Sequence, residues 1–488
     1  MRPVLTVAEV RAAERAAMTR TTEAALIQRA SWAVARNAIA LMGGAYGRRV
    51  LLAAGGGHNG ADALWAGVHL ARRGVAVTTC PVHPNADEHS VAALAALVGA
   101  GGRVVDQIDP DGYDLGVDGL TGLGYQRRPA EAEESIASRA TQLRELCDLI
   151  VAVDLPSGVV ADTGDAATWA VQAGVTVTFG ALKTGLVVGR GADLAGLIDV
   201  VDIGLEATNA HAGVLDADDV DALLPAADSR ATKYTRGVVG LVAGGPDYVG
   251  AAVLAAGGAL RAGAGMVRLH AHPAAIDAVR ARWPETVGIL LDPDAIRADT
   301  KVDAWVVGPG LGTDDVATSA VRAVLSRQEP VVVDADAITI GTAEPSLLGA
   351  RTAPSVVTPH SGEFGRLTGI SGDDIASDPL GVARVAAARL GVTMLLKGMR
   401  TVVCDPDGEA LVNTTGTPWL ATAGTGDVLA GAIGALLAAG LAPSHAAGVA
   451  AWLHGLAGRL AAQGAPLLAT DVVDTWSHAV RLVRDQRG

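Results

Sequence analysis

Aromatic side chains make up only 3% of this 488-residue chain, and just two of them are phenylalanine. A core must therefore come from Ala, Val and Leu, which suits Gly-rich α/β folds better than β-sandwiches built on aromatic and β-branched strands. Cysteine is nearly absent too: Cys80, Cys147 and Cys404 stand far apart, in neither a CxxC nor a metal-ligand spacing. That excludes a disulfide scaffold and a zinc finger, and points to buried thiols in a reducing compartment. Only 18% of residues are charged, with a net charge of −14 and a mean hydropathy of +0.33. Such a chain is not disordered, and neither nucleic acid nor an anionic membrane is its main partner. The N-terminus lacks the apolar stretch of a signal peptide. Near the C-terminus the run 428–444, without Asp, Glu, Lys, Arg or His, is shorter than the ~20 residues of a membrane span. The expectation is a soluble, cytoplasmic protein. Lysine is rare as well: Lys183, Lys233, Lys301 and Lys397 are four of the 38 basic residues. Where cations are almost always Arg, a surviving Lys raises the question of whether an ammonium is required.

What is present is alternation. The length suits two α/β domains. Thr6 and Glu9 have capping-box spacing and predict a helix toward Met18, and a second amphipathic helix covers 22–42. Strands are then predicted at 49–54 and 75–82, in RVVD and YDLGVDGL, and at 149–158, 175–180 and 197–204. Helices are predicted at 61–73, 87–98 and 131–146. Short apolar strands separated by helices imply a parallel sheet covered on both faces. The acidic stretch 204–232 carries the domain boundary, giving domains 1–210 and 211–488. Alternation restarts with GVVGLVAGG, helix 250–263, MVRLHAHP, AWVVGPGLG, helix 315–327, PVVVDADAI, SVVTPH and TMLLKG. A hairpin turns at Asp407-Gly408, and the end is largely helical from Asp427. The fold class is α/β, with two doubly wound domains and no internal repeat.

Gly55 to Gly60 satisfies G-x-G-x-x-G between a strand and a helix. A dinucleotide fingerprint needs an acid at the end of the next strand, and none comes before Asp87. An ordinary Rossmann dehydrogenase is thereby disfavoured. Asn59 and Asp62 sit at the start of the helix, Asp118 ends one strand, and Asp154 ends another before Pro156-Ser157-Gly158. In a parallel sheet these strand ends share the edge where ligands bind. An amide, carboxylates and a hydroxyl together are hard-oxygen donors, suited to K⁺ or Mg²⁺ rather than zinc.

These segments resemble the NAD(P)H-hydrate epimerase domain. Its pattern is a Gly-rich loop with Asn-Asn-Gly-Gly-Asp, a strand-end Asp before a Gly-Thr-Gly-type loop, and Val-Asp-(Leu/Ile)-Pro-Ser-Gly. The phrase VTFGALKTGL, with Lys183, matches as well. The resemblance implies a Rossmann-like epimerase fold in which Asn59, Asp118 and Ser157 bind K⁺ and Asp154 is the acid/base. It also implies that His58, Asn59, Gly60, Ala61 and Asp62 contact substrate, with 122–128 (Gly122, Arg127 and Arg128 among them) along its phosphates. His58, Ala61 and Ala63 stand where the family has Asn, Gly and Gly.

The second half offers GPGLG (308–312) after a strand, polar groups at Thr358 to Phe364, and a turn at 397–401. Thr422-Ala-Gly-Thr-Gly-Asp427 opens an Ala/Gly-rich helix. Small residues at a helix N-terminus form an anion hole for phosphoryl groups, and an adjacent Asp can take a proton from an attacking hydroxyl. No GxxxxGK[ST] occurs, which excludes a P-loop enzyme. GTGD in this place resembles the ribokinase-like superfamily. With KYTRG, GGPDYVGAA, GPGLG, VVDADAI and TPHSGEF, the set resembles ADP/ATP-dependent NAD(P)H-hydrate dehydratase.

Together the two resemblances cover nearly the whole chain and imply a nicotinamide-nucleotide repair enzyme. Its substrates are the R and S hydrates of NADH and NADPH (NADHX and NADPHX) plus ADP or ATP with Mg²⁺; the Ala/Gly-rich helices, which could pack subunits closely, set the expectation of a homo-oligomer. Ala251, Gly310, His360 and Asp427 would meet the hydrate, with Asp427 as base. Lys397, Gly398, Met399, Arg400, Thr401, Gly424, Thr425 and Gly426 would hold the nucleotide. The alternative is a ribokinase-like small-molecule kinase carrying a non-catalytic N-terminal nucleotide-binding module.

Overall fold

The computed structural model describes residues 1–82, 88–208, 210–226 and 229–485, so Asp87 and the start predicted for helix 87–98 lie outside the described residues. The chain divides into two compact units. One comprises Arg2–His211 with Ala376–Asp378, the other Met1, Ala212–Ile375 and Pro379–Gly488.

In the first unit seven parallel strands run in the spatial order Arg103–Val104, Ala76–Thr79, Arg49–Ala54, Leu115–Gly119, Ile150–Val153, Val175–Phe179, Leu197–Val201. The direction of winding reverses between Arg49–Ala54 and Leu115–Gly119, and ligands bind outside the strand ends at such a point. Thr6 caps the helix Val7–Ala17 through a full capping box with Glu9. The helix predicted at 61–73 spans His58–Ala71, because the glycine loop runs directly into its first turn. A Cβ on Gly55 would collide with the Leu120 backbone, and one on Gly60 with Gly55, so the crossing of the two loops requires glycine.

Among the described residues, ten strands of the second unit pair in the order Val287–Leu290, Met266–Ala271, Val238–Val242, Ala304–Val307, Val331–Val333, Ser355–Val357, Thr393–Leu396, Thr401–Cys404, Ala410–Asn413, Ala212–Val214. Pairing is parallel except on either side of Thr401–Cys404. The predicted hairpin forms, with Gly408 at φ 99° in its turn. PVVVDADAI does not stay a strand: it ends at Val333 and turns into the helix Asp336–Ala343. Helix Thr425–Ala438 is buried along most of its length against Val249–Arg261. A Cβ on Gly258 or Gly431 would strike the facing backbone, so the small-residue composition is what lets these helices approach.

The three cysteines are buried, and none is in a disulfide among the described residues. Among the described residues no helix is long and apolar enough to cross a membrane.

Candidate active sites

In the first unit the strand ends converge on a cavity of about 710 Å³. Asp118 is fully buried, and its carboxylate accepts from the Ser157 hydroxyl at 2.5 Å and the Ser157 N–H at 2.7 Å. The Ser157 oxygen accepts from Thr121 N–H at 2.8 Å, and the Asn59 amide donates to Thr121 O at 2.6 Å. Asn59, Asp118 and Ser157 thus gather around Thr121. Burial pushes the Asp118 carboxyl up to about 6, against three hydrogen bonds that favour its charge. Among the described residues no cationic side chain is paired with it. A hard-oxygen donor set around an uncompensated buried carboxylate is the chemistry that fits a K⁺ ion.

Asp154 follows its strand at φ 64°, a conformation that costs a non-glycine residue energy and marks strained functional turns. Its Oδ1 accepts from Lys183 Nζ at 2.5 Å and from Thr178 Oγ1 at 3.0 Å. The ammonium also donates to Thr178 Oγ1 and to Phe179 O, both at 2.9 Å, so all its protons are used. His58, Asn59, Gly60, Asp62, Gly122, Arg128, Asp154 and Lys183 line the cavity. Ala61 and Arg127 do not. Ala61 is buried, and Arg127 turns to Asp165 at 3.1 Å. Ala63 belongs to the core, so neither alanine methyl narrows the cavity.

The sequence pattern gave no role to Glu133. Buried on the helix Ala130–Leu146, it accepts from Tyr125 OH at 2.7 Å, Trp169 Nε1 at 2.8 Å and Arg128 N–H at 3.1 Å, and so pins the loop that lines the cavity. Glu14, another cavity residue, was also missed. Its signal was available only as one acid in an amphipathic helix.

In the second unit a cavity of about 470 Å³ is lined by His360, Lys397, Gly398, Met399, Thr401, Thr425, Gly426 and His454, among others. Gly424, at φ 91°, starts the helix with no side-chain cap, leaving its first N–H groups to an anion. Lys397 Nζ lies 3.4 Å from the Cβ position of Gly426, bonds Asp334 Oδ1 at 2.8 Å, and stands 3.9 Å from Glu363. Asp334 also accepts from Thr358 Oγ1 at 2.7 Å, and the next residue, Ala335, has φ 48°. Both units thus carry a left-handed non-glycine residue at a site strand end. Asp427 Oδ2 lies 3.8 Å from the Cβ position of Gly424. Its carboxyl is pushed up to about 7 by burial and by Asp334, with Lys397 opposing.

Ala251 and Gly310 touch: a Cβ on Gly310 would come 2.7 Å from the Ala251 methyl. His360 uses Nδ1 to accept from Gly362 N–H at 3.0 Å, which leaves the proton on Nε2. Arg400 is turned away, donating to Thr414 O at 3.0 Å. His454 was missed. It donates from Nε2 to Thr425 O at 2.9 Å, beside the anion hole, and burial lowers it to about 4, keeping it neutral.

Comparison with known proteins matches residues 23–185 to the family described as YjeF-related protein N-terminus and 239–477 to NAD(P)H-hydrate dehydratase. The chain is 43% identical over 455 residues to a bifunctional NAD(P)H-hydrate repair enzyme of Mycobacterium tuberculosis, covering 92% of this chain and 91% of that protein. It is 42% identical to the protein of the same name from Mycobacterium leprae, covering 95% and 94%. Among solved structures, an ADP/ATP-dependent NAD(P)H-hydrate dehydratase of Bacillus subtilis, co-crystallised with ATP and Mg²⁺, is 32% identical. It covers 56% of this chain and 98% of its own, with a TM-score of 0.51. A ribokinase-like superfamily protein of Enterococcus faecalis is 27% identical, covers 56% and 96%, and has the same TM-score of 0.51.

Proposed function

The chain belongs to the bifunctional NAD(P)H-hydrate repair enzyme family, and from that premise we propose a division of labour between its halves. Residues 1–210 interconvert the two epimers of hydrated NADH or NADPH, and residues 211–488 dehydrate the S form at the expense of ADP or ATP. The observation that carries the reading is the pairing, in one chain, of the Asp154–Lys183 cavity with an uncapped Gly424–Asp427 helix start.

In the second unit the substrate is a ring with a hydroxyl on the carbon beside nitrogen, and hydroxide is a poor leaving group near neutrality. Asp427 orients that hydroxyl and takes its proton as the oxygen captures a phosphoryl group. The free N–H groups at the start of helix Thr425–Ala438, together with the Lys397 ammonium, receive the transferring oxygens. The ring nitrogen's lone pair then expels phosphate to leave a carbon–nitrogen double bond, and loss of a proton from the adjacent ring carbon regenerates the dihydronicotinamide. Asp334 and Asp336, the hard-oxygen groups around Asp427, would hold the Mg²⁺ delivered with the nucleotide, which would supply charge neutralisation at the phosphates.

In the first unit Asp154 serves as acid/base while the hydroxyl-bearing carbon is epimerised, Lys183 holds its carboxylate, and Gly122 and Arg128 receive substrate phosphates. Asn59, Asp118 and Ser157 would hold K⁺, which would neutralise Asp118 and fix the loop around Thr121.

The test is phosphate release. Incubating the S hydrate with ADP or ATP and Mg²⁺ yields free phosphate and a dihydronicotinamide in equal amounts. A stable phosphoester without near-UV absorbance would make the second unit a kinase.

A further inference from the structure

Asp62 stands early in the helix His58–Ala71 and lines the first cavity, yet its Oδ1 is buried without a hydrogen-bond partner. A buried carboxyl oxygen left so is a group waiting for a ligand. Glu14 and Asp154 are the lining carboxyls whose charges bear on it. Their situations differ. Asp154 is clamped by the Lys183 ammonium at 2.5 Å and the Thr178 hydroxyl at 3.0 Å, while Asp62 has no cation paired with it among the described residues. Burial first, then the charges of Asp154 and Glu14, push the Asp62 carboxyl well above the ordinary range. Glu14 is raised too, by burial and then by Asp154. Two carboxyls in one site with environments this different divide into an acid and a base. The other charged side chains on the cavity wall are Arg11 from Val7–Ala17, Glu23 from Glu23–Leu41, His58 on the same helix, and Arg128, with Glu133 tied to Tyr125.

We propose that Asp62 is the general acid of this cavity, working with Asp154 as base to epimerise the hydrated ring by loss and return of water. The proposal rests on the epimerase reading above. Asp62 gives its proton to the hydroxyl oxygen, the carbon–oxygen bond breaks, and the oxygen leaves as water. The lone pair of the ring nitrogen becomes the second bond of a carbon–nitrogen double bond. Water then adds to the other face. As its oxygen bonds the carbon, Asp154 takes a proton and the electron pair returns to nitrogen. One proton has passed from Asp62 to Asp154, and solvent returns it. Nothing is oxidised or reduced.

The test has two arms. In the first, wild-type protein converts a single purified epimer in H₂¹⁸O, and the newly formed epimer is weighed by mass spectrometry against an enzyme-free blank. The mechanism requires solvent oxygen in every epimerised molecule; product that keeps its original oxygen overturns it. In the second arm, kcat/KM for epimerisation falls as pH rises through the ionisation of Asp62, since the acid must carry its proton. Asp62→Asn lowers kcat by about 10²- to 10⁴-fold and removes that alkaline limb. Asp62→Glu restores part of the rate with the limb displaced. An unchanged limb in Asp62→Asn overturns the assignment. The first arm needs no variant, so a misfolded Asp62→Asn leaves it standing. Wild-type protein that does not epimerise at all refutes the epimerase reading itself rather than the choice of acid.

Discussion

Lys183 Nζ lies 2.5 Å from Asp154 Oδ1, with the two side chains 1% and 8% exposed. Breaking a pair this deep strands a charge, at a cost of about 3–5 kcal/mol. Lys183→Met therefore lowers the melting temperature of the first unit and abolishes epimerisation. Dehydration of pure S hydrate, the work of the other unit, stays within about twofold of wild type, a margin set by the ~0.4 kcal/mol scatter of distant sites. A variant that still epimerises at the wild-type rate would remove Lys183 from the site.

Asp427 sets the acidic limb of dehydration. A base must be ionised, so kcat/KM rises with pH through about 7, the value imposed chiefly by burial. Asp427→Asn lowers kcat by about 10²- to 10⁴-fold and erases the limb. Steady-state rates from pH 5.5 to 9, followed by recovery of near-UV absorbance, check both.

Potassium bound at Asp118 would make stability depend on the cation. Its folded pKa, about 6, lies above the ordinary carboxylate value of 3.8, so the folded unit binds more protons between those values and stability falls as pH rises through the window. Left ionised and unpaired, the group costs about 3 kcal/mol. A cation that fits Asn59, Asp118 and Ser157 recovers part of that. Exchanging tetramethylammonium for K⁺ at equal ionic strength raises the first unit's melting temperature by several degrees at pH 7.5 and hardly at pH 4.5. Equal shifts at both pH values would contradict the site.

How far the sequence alone reaches is visible in particular residues. Asn59, Asp118 and Ser157 could be grouped in advance because parallel strand ends share one edge, and a rare lysine did mark both sites, at Lys183 and Lys397. Side-chain direction was not legible. Arg127 and Arg400 lie in the right loops but bond to Asp165 and to Thr414 O instead. Nor could Ala335 announce a left-handed turn, because the strain is imposed by the surrounding fold; VVDADAI therefore read as one continuous strand. Glu133 looked like one more acid on a polar helix until folding brought Tyr125 and Trp169 to it.

His454 makes the second unit acid-sensitive. Its folded pKa, about 4, lies below the ordinary 6.5, so the unfolded chain binds more protons between those values and stability is lost as pH falls through them. The loss amounts to about 3 kcal/mol. Urea unfolding of wild type and His454→Gln at pH 7 and pH 4.5 shows it: the difference between the two pH values shrinks by roughly that amount in the variant. Equal pH dependence would remove His454 as the cause.

The most direct test of two activities in one chain is recovery of dihydronicotinamide absorbance from a mixture of R and S hydrates with ADP or ATP and Mg²⁺, corrected for spontaneous epimerisation. Wild type recovers the whole mixture, Asp154→Asn stalls at the share of the S epimer, and Asp427→Asn recovers either epimer at least about 10²-fold more slowly. Wild type stalling at the S share, or Asp154→Asn running to completion as fast as wild type, would contradict the account.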